Sequence, residues 1–235
     1  MVSLDPERIV SWVRRLKLIK RGAESEIRLG SFMGLPAVYK LRVRKPYMHP
    51  ELAERLSRAR TRREAKVMAE ARLAGVDAPR LYAVILSAGL IVMEYVEGRL
   101  LKDIIGVLGG WKPLVRRAGE HLALLHRAGI VHGDPTTSNF IVSDDRLVMI
   151  DFGLSAFTED LEERAVDIHL FRRALEASHA AYAEEAFNLF VEGYTSVLGS
   201  QGVNIVKRAS EIALRGRYVE ARRRSVWAQL ASEGG

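Results

Sequence analysis

The chain has 235 residues, 48% of them hydrophobic, with six histidines, no cysteine and a formal net charge of +7. That length and apolar share suffice for one compact domain or two small lobes around a buried core. The missing thiols exclude disulfides and cysteine-ligated zinc, and no His-x-x-x-His pair points to a dedicated protein-only metal site. No apolar run approaches the roughly 18 residues of a membrane span, and Met1 to Glu7 lacks an apolar signal segment, so a soluble, cytoplasmic protein is expected.

Taken in chain order, alternating apolar residues predict paired strands at Leu16 to Lys20 and Ile27 to Phe32, around the loop Arg21-Gly22-Ala23-Glu24-Ser25-Glu26. Met33-Gly34-Leu35-Pro36 reads as a turn and Ala37 to Leu41 as a third strand. Lys40 falls among the apolar residues of that strand, where an unpaired ammonium would be expensive to bury, so it calls for an anionic partner. A helical pattern from Glu51 to Ala74, closed by Gly75, offers one: Glu64 is the acid best placed to reach Lys40. The competing reading has Lys40 reaching solvent past its own stem and Glu64 paired with Arg60 or Arg63 on the helix surface. Arg80 to Leu86 and Leu90 to Tyr95 read as a hairpin-like pair, and Met93 to Gly98 then leaves the sheet, which places a hinge between two lobes there. Trp111 to Ala128 is an amphipathic helix with Leu114, Ala118, Leu122 and Leu125 on one stripe, ended by Gly129.

Two loops follow that carry chemistry. His132-Gly133-Asp134 with Asn139, then Asp151-Phe152-Gly153, sit between the short apolar runs Ile130-Val131, Phe140-Ile141-Val142 and Leu147 to Ile150, which read as buried strands. Either loop by itself is an ordinary capped turn; both at this short, strand-containing separation point to a site for Mg-nucleotide. Phosphoryl transfer needs positioning more than covalent chemistry. Asp134 would orient the attacking hydroxyl or water and accept its proton, and Asn139 and Asp151 would hold Mg²⁺ through hard oxygen ligands. His132 is expected to pack and hydrogen-bond, not to catalyse. Lys40 and Glu64 would then form the phosphate clamp, with Gly22, Ala23, Glu24 and Ser25 lying over the phosphates. Adenine would rest against Met93, facing backbone groups of Glu94 and Val96. ATP and Mg²⁺ are the cofactors this reading requires.

The chain resembles the protein-kinase-like superfamily and, more narrowly, the PRPK family (piD261-type) of small atypical serine/threonine kinases, the kinase subunit of the KEOPS/EKC complex. The resemblance rests on Gly22-Ala23-Glu24-Ser25 in place of a multi-glycine loop, on Arg60-Thr61-Arg62-Arg63-Glu64-Ala65, and on His132 to Asn139. Asp151-Phe152-Gly153-Leu154-Ser155, Ala165-Val166-Asp167 and the basic Arg215-Gly216-Arg217 add to it. It implies an α+β, bilobal kinase-like fold: an N-lobe over 1–95 with a small antiparallel sheet and one main helix, a reduced and mostly helical C-lobe over 96–214, and a basic tail over 215–235. It also implies an ATPase and kinase that autophosphorylates. Its role would be in N6-threonylcarbamoyladenosine synthesis on tRNA, beside a TsaD-like threonylcarbamoyltransferase on the C-lobe and a small Cgi-family subunit on the N-lobe.

Departures from ordinary protein kinases carry meaning. His-Gly-Asp lacks the arginine that would pair with a phosphorylated activation loop, and no Ala-Pro-Glu segment follows to dock a peptide. One glycine in the phosphate loop, with Glu24 adding negative charge beside phosphates, argues for a slow or gated enzyme. Within the PRPK pattern, Pro135 stands where leucine is usual, and Tyr218 to Ala221 interrupt the tail arginines. Arg55, Arg58, Arg60, Arg62, Arg63 and Lys66 crowd one helix; Lys207, Arg208, Arg215, Arg217, Arg222, Arg223 and Arg224 crowd the end, whose basic tail the resemblance assigns to tRNA. Binding to tRNA is therefore expected to be salt-sensitive and poorly selective. Three other readings compete: an aminoglycoside- or choline-type small-molecule phosphotransferase, a RIO-type ribosome-assembly kinase whose loop and flanks match less well, and a non-catalytic tRNA-binding scaffold.

Overall fold

The computed structural model describes residues 5–43, 48–107, 109–144 and 146–215. Helix α1 (Pro6–Val13) comes first, with Asp5 at its N-cap accepting from the Glu7 amide at 3.0 Å and Pro6 in the first turn. The sequence reading passed over this helix, although Asp-Pro-Glu is a helix-start signal. Strands β1 (Lys17–Arg21), β2 (Ser25–Phe32), β3 (Leu35–Arg42), β4 (Leu81–Ile85) and β5 (Leu90–Glu94) then form an antiparallel sheet in the order β1-β2-β3-β5-β4. All five lie within two residues of the expected spans. Met33 and Gly34, both at positive φ (51° and 84°), make the tight turn that sets the β2/β3 register from Phe32 opposite Leu35 to Ser25 opposite Arg42. That register places Lys40 between Ile27 and Ile91 in the middle of the sheet.

Helix α2 (Pro50–Leu73) ends as expected, with Ala74 as its cap and Gly75 at φ 91°. Its buried side carries Ala53, Thr61, Glu64, Ala65, Val67, Met68 and Ala71, so one acid is turned inward. Arg55, Arg58, Arg62, Arg63 and Lys66 are exposed, and Arg58 is paired with Glu54 at 3.3 Å.

Beyond the sheet, β6 (Arg99–Leu100), β8 (Phe140–Ser143) and β9 (Arg146–Met149) form one small sheet. β7 (Ile130–Val131) pairs with β10 (Ala156–Phe157). These ribbons rest on α3 (Trp111–Arg127) and α4 (Leu161–Ser178), against which α5 (Ala183–Leu198) packs, and α6 (residues 200–215) follows. The large core joins Leu122 and Leu125 of α3 to Phe140, Phe152, Phe171 and Phe190, supporting both loops from below. On the α3 stripe Ala118, Leu122 and Leu125 are fully buried; Leu114 is only half-buried, and Val115 beside it takes the deep position. Among the described residues no helix is long and apolar enough to cross a membrane. Arg215 is the last described residue, exposed at the end of α6, and Arg217, Arg222, Arg223 and Arg224 lie outside the described residues.

Helices α3 and α5 touch backbone to backbone. A Cβ at Gly119 would stand 2.0 Å from the Phe190 carbonyl oxygen, and one at Gly193 would stand 1.9 Å from the Arg116 carbonyl oxygen. Neither obstacle is a side chain that can swing aside. Gly193→Ala is therefore expected to cost about 3 kcal/mol and lower Tm by roughly 10 °C in thermal unfolding. An unchanged Tm would disprove this close crossing.

Candidate active site

Lys40 and Arg42 share one face of β3, and both reach the inward carboxylate of α2. Lys40 Nζ lies 2.5 Å from Glu64 Oε1, and Arg42 Nη2 lies 2.5 Å from Glu64 Oε2, so each oxygen meets its own cation. Glu64 is 2% exposed, which rules out the surface pairing with Arg60 or Arg63. Lys40 Nζ also lies 2.6 Å from Asp151 Oδ1, joining the sheet to the second loop. Burial works against the ammonium, but Glu64 and Asp151 outweigh it and hold the Lys40 pKa above the ordinary lysine value. The sequence reading missed Arg42; its place two residues after Lys40 in a strand is the signal that would have found it.

Asp151 lies at the end of the β9 run with φ 64°, an uncommon conformation for a non-glycine residue. Its Oδ1 accepts from Lys40 and, at 3.4 Å, from the Gly153 amide. Burial alone would raise this carboxyl; the adjacent Lys40 reverses the sign and holds it below the usual carboxylate range. Asn139 Nδ2 donates to the Asp134 carbonyl at 2.8 Å and to Asp134 Oδ2 at 2.9 Å, so the amide orients the acid. Burial raises the Asp134 pKa despite that hydrogen bond. Asn139 Oδ1 and Asp151 Oδ2 make no hydrogen bond among the described residues. Two hard oxygens of this kind fit Mg²⁺ when nucleotide phosphates and water complete its shell.

His132 packs, as expected. It is fully buried, its ring centroid lies 5.2 Å from that of Phe152, its Nε2 donates to the Ile150 carbonyl at 3.2 Å, and its Nδ1 accepts from the Asp134 amide. The amides of His132 and Gly133 donate to Asp167 of α4, at 2.6 and 2.8 Å. Gly133 has φ 80°, and a Cβ there would meet the Leu154 carbonyl oxygen at 2.7 Å. Glycine between His and Asp is thus a steric requirement of the loop.

The cleft above these groups has a volume of about 330 Å³. Ile19, Ile27, Val38, Met93, Ile141 and Ile150 make its apolar walls, Glu94 and Val96 border it, and Lys40, Glu64, Asn139 and Asp151 stand at its polar end. An apolar slot ending in convergent polar groups suits a flat heterocycle carrying phosphates. Gly22, Ala23, Glu24 and Ser25 do not line this space; the flanking Ile19, Lys20 and Ile27 do. The loop closes on itself through the Gly22 amide and Ser25 carbonyl at 2.8 Å. Glu24 points to α2, where Arg60 Nη1 donates to its Oε2 at 2.7 Å. The charge expected beside the phosphates is therefore matched by an arginine, which corrects the argument that Glu24 by itself slows the enzyme.

The RIO domain family model matches residues 38–176, from β3 through nearly all of α4. The KEOPS complex subunit Bud32 of Pyrococcus abyssi is 40% identical over 214 residues, covering 87% of this chain and 97% of that one. The chain belongs to the Bud32 family of RIO-domain kinases. A probable serine/threonine-protein kinase BUD32 homolog of Archaeoglobus fulgidus is 39% identical, covering 85% of this chain and 95% of that one. A probable bifunctional tRNA threonylcarbamoyladenosine biosynthesis protein of Methanothermobacter thermautotrophicus is 38% identical, and the chain spans 37% of its length. Among solved structures, WaaP in complex with acyl carrier protein has a TM-score of 0.64 at 16% identity, covering 92% of each chain. The Rio2 kinase of Chaetomium thermophilum, solved with ADP/Mg²⁺ and phosphoaspartate, has a TM-score of 0.60 at 16% identity, covering 91% of this chain and 75% of that one. The fold is thus the bilobal, α+β kinase-like one. The RIO match runs from β3 through α2 and both loops, and the whole-length relatives narrow it to Bud32.

Proposed function

We propose that the chain is a Mg-ATP-dependent serine/threonine kinase and ATPase subunit of a cytoplasmic KEOPS-type complex, supporting N6-threonylcarbamoyladenosine formation on tRNA. Its partners in this reading are a TsaD-like transferase, a small Cgi-family subunit and tRNA. The observation that carries the catalytic part is the Lys40 ammonium held between Glu64 and Asp151, at 2.5 and 2.6 Å, at the polar end of an apolar slot.

In the reaction, Met93 and the backbone of Glu94 and Val96 seat the adenine, and Lys40, fixed by Glu64, meets the phosphates. Asn139 and Asp151 would hold Mg²⁺, which would supply charge neutralisation at the transferring phosphoryl group. Asp134, oriented by Asn139, sets the attacking hydroxyl or water and takes its proton. The buried, protein-paired lysine is pre-organised and so loses little freedom when the nucleotide enters. Exposed basic residues on α2, Arg215 and the tail arginines Arg217, Arg222, Arg223 and Arg224 supply phosphate-backbone contacts to tRNA.

Turnover of ATP by the purified chain is expected to be Mg²⁺-dependent and to rise when a TsaD-like partner and tRNA are both added. Turnover indifferent to both additions would instead favour a free-standing kinase, and none under any condition would favour a scaffold.

A further inference from the structure

Tyr194, on α5, is fully buried, yet its neighbours on that helix face, Phe187 and Phe190, do the same packing without a hydroxyl. A phenol in such a core is costly unless its hydroxyl has a partner. Here the partner is His126 of α3, whose Nδ1 lies 2.6 Å from the Tyr194 oxygen. His126 Nε2 lies 3.2 Å from Asp167 Oδ2, and Asp167 is the carboxylate that accepts the His132 and Gly133 amides. The donor count settles the direction. An ionised Asp167 can only accept, so His126 Nε2 carries the proton, Nδ1 is bare, and the tyrosine hydroxyl donates to it. Burial, against the pull of Asp167, lowers the His126 pKa, in keeping with a neutral ring. Gly193 makes this reach possible, because the close crossing it permits brings α5 onto α3 beside His126.

We propose that Tyr194 is a positioning residue for the catalytic loop: its hydroxyl pins the His126 ring at Nδ1, and His126 in turn steadies the carboxylate holding the two amides just before Asp134. Helix α5 thereby acts on the acid at the reaction centre through three side chains, Tyr194, His126 and Asp167. Without the hydroxyl, Nδ1 is a buried acceptor with no donor, and the ring keeps only one of its two anchors. The Nε2–H then loosens on Asp167, and the carboxylate loosens its hold on the loop.

This inference uses the ATP turnover proposed above, but amide exchange at His132 and Gly133 reads the loop directly and does not depend on that activity. In Tyr194→Phe, kcat is expected to fall about tenfold, the rate equivalent of one buried hydrogen bond, with KM for ATP within about twofold of wild type. The His132 and Gly133 amides should exchange faster by a similar factor, while amides in the middle of α3 and α5 keep their protection. Should the phenylalanine variant not fold, His126→Gln is the second test. Its amide nitrogen replaces Nε2 toward Asp167 but leaves the tyrosine unanswered, and the same selective loosening is expected. Wild-type exchange at the two loop amides, or loss of protection spread evenly through α3 and α5, would overturn the proposal in either variant.

Discussion

Asp151→Ala and Asp134→Ala are each expected to lower Mg-dependent ATP turnover on the order of 10²- to 10⁴-fold with the fold retained. Asp151 Oδ1 anchors Lys40, and in the proposed site Oδ2 would meet the metal. Alanine removes both at once. The cost in stability is small by comparison, because the position at φ 64° asks about 1 kcal/mol of an alanine while Lys40 retains Glu64. Asp151→Asn, which tolerates that backbone, separates the two tasks, since its amide can still offer an oxygen but no charge. Asp134→Ala removes the proton acceptor and leaves Asn139 without its side-chain partner. Phosphate release at saturating Mg-ATP, with Tm measured alongside, checks both; near-wild-type turnover in either alanine variant would sink the site assignment.

Lys40→Met is expected to lower turnover by about 10²- to 10³-fold, through loss of the cation that meets the phosphates. Its effect on stability is the more instructive part. Removing one partner of a buried ion pair ordinarily costs roughly 3 to 5 kcal/mol, because the other charge is left uncompensated. Here Arg42 stays on Glu64 Oε2, so the loss should be nearer 1 to 2 kcal/mol, and Lys40→Met should fold. Combining it with Arg42→Met strands Glu64 in the core, and the double variant should lose far more than the sum of the single changes. Additive losses in chemical denaturation would show that Arg42 does not stand in for Lys40 on this carboxylate.

The strands around the turn Met33-Gly34, the helix stop at Gly75, and the loops carrying Asp134, Asn139 and Asp151 were legible because each depends on residues close in sequence. A positive-φ turn, a strand of alternating apolar residues and a capped loop are local events, and their signals survive in a linear reading. Lys40 was legible for a related reason: a lysine in an apolar strand needs an anion, and few helical acids could supply it. Arg42 escaped because the second cation on Glu64 answers no local requirement. Helix α1 escaped because its cap is its main signal and only Val13 is buried.

What the sequence by itself determined is therefore the chemistry: the two loops, the lysine and its glutamate, and the family to which they belong. Tertiary structure alone decided how that chemistry is held. Glu24 turns from the cleft to Arg60, 36 residues away, and the loop before Asp134 hangs on Asp167, His126 and Tyr194, across separations of 34, 41 and 68 residues. Such links follow from helices packing closely enough for buried polar groups to require partners. The groups nearest in space then supply them, whatever their distance along the chain.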